Sequence, residues 1–173
     1  MDDAFREAVE RVLPAVWRCL RRFGVYPQEM DDALQVVLLK MFRHWTKVRQ
    51  SDARGMQTFA CCVSVGVARD VVRARVRSWH RTLPLDEGLV DRTDDPSARA
   101  EHRQAIAIVD AVLEMMPVGR REIFILYEIE GLTAKEIAGE LGIPEGTVAS
   151  RLRTARAEFE AGLQRRSKKE GSP

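Results

Sequence analysis

Apolar residues recur along the chain at intervals of three and four, the period of an α-helix. Runs of alternating β-branched and aromatic residues bounded by tight-turn pairs do not occur. Phe5, Val9, Val12, Leu13, Val16 and Leu20 predict a first helix from about Asp3 to Phe23, with Pro14 inside it as a point of bending. Gly24 stops it, and Pro27 punctuates the following loop. Leu34, Val37, Leu38, Met41 and Phe42 predict a second helix from about Met30 to Trp45, with Asp31 and Asp32 in the first turn, where the helix dipole favours acids. A polar loop, roughly Lys47 to Gly55, precedes a third helix from about Met56 to Ser78. From Pro84 to Pro96 the chain turns rich in Pro, Gly and acids and poor in apolar residues, the composition of a flexible linker. Helical spacing resumes near Ala98 with Ile106, Val109, Val112 and Leu113; Pro117 opens a further helix holding Ile123, Phe124, Leu126 and Ile129, which ends at Gly131. The predicted fold is all-α: two small helical domains over residues 1–80 and 99–166, a flexible linker at 81–98, and a tail, 167–173, expected to fray.

The segment from Gly131 to Arg156 carries the most information. Thr133 and Glu136 form a capping box that starts a helix at Ala134. Ala138 is small where a following helix must cross closely. Gly142 supplies a left-handed turn, and Pro144 suits the first turn of a new helix. Val148 and Leu152 give that helix a buried face against Ile137 and Leu141. This pattern defines a helix-turn-helix. The other face offers Thr147, Ser150, Arg151 and Arg153, followed by Arg156, side chains that reach phosphates and base edges in a major groove.

Charge distribution adds to this picture. The net charge is only +2, but Arg69, Arg73, Arg75, Arg77 and Arg81 face a single acid, Asp70, in their segment. Arg151, Arg153, Arg156, Arg165, Arg166, Lys168 and Lys169 are set against Glu158 and Glu160, and Asp86, Glu87, Asp91, Asp94 and Asp95 lie between the two groups. Two basic faces separated by an acidic connector suggest two contacts with one polyanion.

With 45% hydrophobic and 31% charged residues the composition is that of a folded soluble chain. No apolar run approaches the roughly 20 residues that span a bilayer, and the acidic N-terminus lacks a secretory layout, so a cytoplasmic location is expected. Cys19, Cys61 and Cys62 have no zinc-ligand spacing and are expected to pack as small hydrophobes; no metal or cofactor is expected. There is no nucleophile–base pair, phosphate-binding Gly loop or paired-carboxylate signature, so an enzyme is not expected.

The stretch Leu113-Glu114-Met115-Met116-Pro117, then Arg121-Glu122-Ile123-Phe124, then the helix-turn-helix with its GTVASRLRTAR string, strongly resembles the region-four domain of bacterial extracytoplasmic-function (ECF) sigma factors. The N-terminal half resembles their region-two domain: Asp31-Asp32-Ala33-Leu34-Gln35-Val36-Val37 is similar to their "E-D-L-V-Q-E-V" helix, Met56-Gln57-Thr58-Phe59 to "F-R-A-W", and Arg69-Asp70-Val71-Val72-Arg73 to "A-I-D-x-x-R". Val36 stands where the family has Glu, and Val65-Gly66 where it has Arg-Asn.

The resemblance implies a non-catalytic subunit that binds core RNA polymerase, through the beta-prime and beta subunits, and directs it to promoter DNA. Asp31, Asp32, Leu34 and Gln35 would grip the beta-prime coiled coil. Arg69, Asp70, Arg73 and Arg77, with the Lys47–Gly55 loop, would meet the minus-ten element and the duplex above it. Thr147, Ser150, Arg151, Arg153 and Arg156 would read the minus-thirty-five element. It also implies an anti-sigma partner, often held at a membrane. The competing expectation is a conventional helix-turn-helix regulator that works without polymerase. It accounts for the C-terminal motif but not for the Asp31–Gln35 helix or the arginine stripe.

Overall fold

A computed structural model describes residues 3–79 and 98–170; the acidic connector and Arg81 lie outside the described residues. Helix α1 spans Asp3–Phe23, the range its apolar period predicts, and runs through Pro14 without interruption. A 3-10 turn, Pro27–Glu29, leads into α2, Met30–Arg43. The predicted second helix breaks at His44, and Trp45–Val48 form a separate short helix, α3. Helix α4, Ala53–Trp79, begins three residues earlier than its apolar pattern suggests. The cause is Asp52, whose Oδ1 accepts the Gly55 N–H at 2.7 Å and whose carbonyl accepts from Met56. A side-chain acceptor at that position satisfies a helix-start donor that would otherwise be unpaired.

In this N-terminal half, α1 lies along α4 and α2 closes against both. Val16, Cys19, Leu20 and Phe23 of α1 are buried with Ala60, Cys61, Val65 and Ala68 of α4 and with Val37 and Met41 of α2. Each large apolar side chain so buried contributes about 1.5–3 kcal/mol. Phe5 pins the start of α1 edge-on to Phe42 and Trp45, at ring separations of 5.3 and 5.2 Å.

The C-terminal half comprises α5 (Ala98–Glu114), α6 (Val118–Phe124), α7 (Ala134–Leu141) and α8 (Glu145–Glu170). The residues 167–170, expected to fray, continue α8 as helix. Helix α6 runs directly into a π-helical turn, Ile125–Ile129, which the sequence pattern does not show. Phe124 stacks on Phe159 at 4.6 Å, holding α6 to α8.

The two helical units expected from sequence are present, but they do not stand apart. A single buried cluster runs from Phe5 through Phe23 and Cys61 to Leu113, Ile125, Leu132, Ile137 and Leu152. Helix α1 meets α5 and the π turn, and α4 meets α7. Arg121, buried in α6, donates to the carbonyl of Phe23 at the end of α1 at 2.7 Å, and to those of Glu114 and Met116 at the end of α5. One guanidinium thus serves two helix C-termini, where unpaired carbonyls favour a cation.

Candidate nucleic-acid interface

The helix-turn-helix forms through the devices its residues encode. Glu136 N–H donates to Thr133 Oγ1 at 3.2 Å, and Thr133 N–H donates to Glu136 Oε2 at 2.6 Å, closing the capping box at the start of α7. Hydrogen bonds from Thr133 and Arg54 hold the Glu136 carboxyl down at about 2, with Arg54 the larger influence. At the far end Gly142 adopts φ 64°, and the amides of Gly142 and Ile143 donate to the Ala138 carbonyl. A side chain at that φ would be strained, so glycine makes the turn. Ile137 and Val148 are wholly buried where α7 and α8 cross, and Leu152 nearly so.

The arginines of α8 do not share one face. Two positions along a helix rotate a side chain by about 200°, three positions by about 300°. Arg153 and Arg156 are therefore near neighbours, and both line a shallow outward depression with Tyr127, Ala149 and Glu160. Ser150 and Arg153 are exposed and Thr147 is half-buried. Arg156 is braced: its Nε donates to Glu128 at 2.6 Å and its guanidinium lies over the Tyr127 ring at 5.4 Å. Arg151 points the other way, into a groove lined by Phe59, Cys62, Arg69 and Glu122 that faces the N-terminal half.

On α4, Asp70, Arg73 and Arg77 are exposed, while Arg69 is half-buried and donates to Glu122 of α6 at 3.2 Å. The arginine stripe is thus solvated at Arg73 and Arg77 and engaged at Arg69. Burial pushes the Glu122 carboxyl up, against the pull of Arg69 and Arg151. Arg75 leaves the stripe altogether. It pairs with Glu29, donates to the Gly24 carbonyl at 2.8 Å and stacks on Tyr26 at 3.5 Å.

Helix α2 presents a second surface. Asp31, Asp32 and Gln35 are exposed on it, beside Val36, Leu39 and Phe42, which are 41%, 57% and 54% exposed. Leu34 is half-buried and packs against the core, so it backs this surface instead of fronting it. A carboxylate-rimmed apolar strip of this kind is the usual composition of a protein-docking face.

Sequence reasoning missed Arg18, Arg22, Arg54, Glu122 and Glu130, which join the halves. Arg54 donates to both oxygens of Glu136, at 2.8 and 2.9 Å, and to the Gly131 carbonyl at 2.7 Å. Arg18 donates to both oxygens of Glu130, at 3.2 and 2.9 Å. Glu130 also lies 3.9 Å from Cys61 Sγ, and with Cys19 these donors fall within 4.8 Å of one another, close enough for a metal ion. The set is satisfied without one. Arg18 occupies both carboxylate oxygens, and the Cys61 interaction and burial keep the Cys19 thiol well above its ordinary value. All three cysteines are buried and unpaired, as small hydrophobes.

Residues 8–78 match the family model "Sigma-70 region 2" and residues 106–159 match "Sigma-70, region 4". The fold and the helix-turn-helix therefore define a sigma-70-type chain. Among its curated relatives, the "ECF RNA polymerase sigma factor SigM" of Mycobacterium tuberculosis is 30% identical over 89% of this chain and 74% of its own length. The "RNA polymerase sigma factor CnrH" of Cupriavidus metallidurans is 27% identical, covering 96% and 90%. The "ECF RNA polymerase sigma factor SigE" of Mycolicibacterium smegmatis is 26% identical over 96% of this chain, which spans 62% of the SigE length. The chain belongs to the ECF sigma factors. Two solved structures share its fold: CnrH in complex with the cytosolic domain of CnrY (TM-score 0.64, 22% identity, 92% of this chain and 87% of that one) and the sigma factor RpoE in complex with the anti-sigma factor NepR from Bartonella quintana (TM-score 0.70, 18% identity, 92% and 96%). Among the described residues, no helix is long and apolar enough to cross a membrane.

Proposed function

We propose that this chain binds core RNA polymerase and directs it to a set of promoters, reading the minus-thirty-five element with α8 and the minus-ten element with α4 and the loop before it. The observation that carries this reading is the occurrence of both sigma regions in one chain, with the region-four helix-turn-helix capped, turned and packed as a DNA-reading unit. A regulator acting without polymerase would have no use for the region-two unit over residues 8–78.

Within this reading Asp31, Asp32 and Gln35, on the open face of α2, contact polymerase, and Leu34 supports them from below. Arg73 and Arg77 meet the DNA backbone. Ser150, Arg153 and the braced Arg156 form the promoter-reading row, with Thr147 at its edge. Arg151 and Arg69 join only when the groove between the halves opens. Polymerase supplies the chemistry; the chain supplies recognition. An anti-sigma partner is supported by the CnrY and NepR complexes of its structural neighbours.

The test is transcription from a genomic fragment library by purified core polymerase with this chain as the sole sigma factor. Discrete start sites that vanish when the chain is omitted support the reading. Sequence-specific binding by the isolated chain with no initiation would overturn it. Asp32→Ala and Gln35→Ala should weaken polymerase binding yet leave duplex binding by the C-terminal half intact.

A further inference from the structure

Two of the three buried thiols and one buried carboxylate converge on a single point. Cys19 comes from α1, Cys61 from α4 and Glu130 from the end of the π turn. Both cysteines are 0% exposed, and so is the Glu130 side chain. Their donor atoms all lie within 4.8 Å of one another, with Cys61 Sγ 3.9 Å from Glu130 Oε2. Three atoms so spaced share a point no more than about 2.8 Å from each, against zinc bonds of about 2.3 Å to sulfur and about 2.0–2.2 Å to oxygen. A contraction of roughly half an ångström therefore completes a coordination shell, which side-chain adjustment supplies without refolding.

The charges of the cluster fit an ion as well as its distances do. An ionised carboxylate removed from water needs a cation beside it. In the metal-free chain that cation is Arg18, which holds both Glu130 oxygens. The Arg18 side chain is 49% exposed, so it reaches the enclosed carboxylate from the solvent side and has room to swing back there. Carboxylate and guanidinium cancel. A divalent cation on two thiolates and one carboxylate leaves one negative charge, which the displaced but neighbouring guanidinium again cancels. The site is neutral in both states. Two thiolates select a soft or borderline ion over Mg²⁺ and Ca²⁺, which prefer oxygen donors.

We infer that Cys19, Cys61 and Glu130 form a binding site for one thiophilic divalent cation of the zinc class, with Arg18 as the group that yields the carboxylate to it. Loading releases the two thiol protons to solvent and transfers no electron. Two sulfurs and one carboxylate oxygen fill three corners of a tetrahedron, and water takes the fourth on the side that Arg18 vacates. The donors carry none of the short spacings of a zinc motif because each belongs to a different element and folding alone brings them together. Cys62, next in sequence to Cys61, is not a ligand: it lines the groove with Arg69 and Arg151. The inference is independent of the proposed function, and its test needs neither polymerase nor promoter.

The experiment strips the full chain with a chelator, keeps it reduced with a phosphine, and titrates it with Co²⁺, a spectroscopic substitute for zinc. One Co²⁺ per chain should bind, with the visible bands of a tetrahedral site and near-ultraviolet thiolate-to-cobalt charge transfer. One equivalent of Zn²⁺ should abolish both. X-ray absorption of the zinc-loaded wild type should show two sulfurs at about 2.3 Å and oxygens at about 2.0–2.2 Å. That measurement needs no substitution, so it decides the matter even if a core variant fails to fold. Cys19→Ser, Cys61→Ser and Glu130→Gln should each weaken Co²⁺ binding by about tenfold or more, while Cys62→Ser binds as the wild type does. Circular dichroism confirms that helix content is retained in each variant. Absence of charge transfer at saturating Co²⁺, a zinc shell holding other than two sulfurs, or equal loss of binding in Cys62→Ser would overturn the inference.

Discussion

Gly162 offers a sharp test of the packing that fixes the reading helix. It is buried where α8 meets α5, and a methyl group built there would lie 2.5 Å from Val112 Cγ1 and 3.3 Å from Cγ2. Carbon atoms pack best at about 3.5–4.0 Å, so something must give by about 1 Å. Val112 is 3% exposed and β-branched, with one favoured rotamer in a helix, so the strain passes to the α5–α8 separation. Overpacking of this kind destabilises by about 1–3 kcal/mol, against a helix-propensity gain of about 0.8–1.0 kcal/mol for Gly→Ala. Gly162→Ala should therefore lose up to about 2 kcal/mol net. Gly139, exposed in α7 with nothing within 4 Å of the same methyl position, should gain up to about 1 kcal/mol from the same change. Urea denaturation followed by circular dichroism separates the two. With a slope of about 2 kcal/mol per molar, Gly162→Ala lowers the midpoint by up to about 1 M and Gly139→Ala raises it by up to about 0.5 M. The decisive arm is Val112→Ala: on that background Gly162→Ala should turn stabilising. If it stays destabilising when Val112 is truncated, the steric account is wrong.

Other outcomes follow from the buried charges and the reading helix. Arg121→Met strands the carbonyls of Phe23, Glu114 and Met116 and should lower stability by about 1–3 kcal/mol in the same urea assay. Because burial raises the Glu122 pKa, its contribution is present below the unfolded value and is lost as pH rises through the folded one. The wild type should thus gain stability relative to Glu122→Gln as pH falls from neutrality toward the ordinary carboxylate value. Glu136, held at about 2, has the opposite sign: its contribution fades only as pH falls from the unfolded value toward about 2, so it leaves that window flat. In promoter-duplex titrations, Arg153→Ala should cost about 1–3 kcal/mol, more than Arg151→Ala, which should mainly loosen the groove.

Elements governed by local chemistry were legible in the sequence. The apolar period located α1, and Thr133, Glu136 and Gly142 located the cap and turn of the helix-turn-helix, because each acts on residues within one turn of itself. The early start of α4 at Asp52 was legible in principle, as a side-chain acceptor three residues before Gly55, but the apolar pattern alone places the start later. The π turn leaves no mark, since one extra residue in a helix changes no composition. What joins the halves was hidden for a different reason. Arg18 and Glu130 lie 112 residues apart, Arg54 and Glu136 82 apart, and each alone looks like an ordinary solvated charge. Arg69 carried the same ambiguity: the i, i+4 stripe was visible, but not that its first member is taken by Glu122. The three cysteines showed their burial, not the proximity of Cys19, Cys61 and Glu130.

Helix α8 is one unbroken rod of 26 residues, about 39 Å long at about 1.5 Å per residue. On the proposed function its tip addresses the promoter, while Gly162, roughly 18 Å from Ser150 along the axis, seats it on α5. No joint separates the seat from the tip. A tilt of only about 3° at the seat sweeps the tip through about 1 Å, enough to misalign a side chain with a base edge. On the same reading, promoter choice would be tunable from the buried seat of the helix, in the way a pointer is re-aimed from its mount.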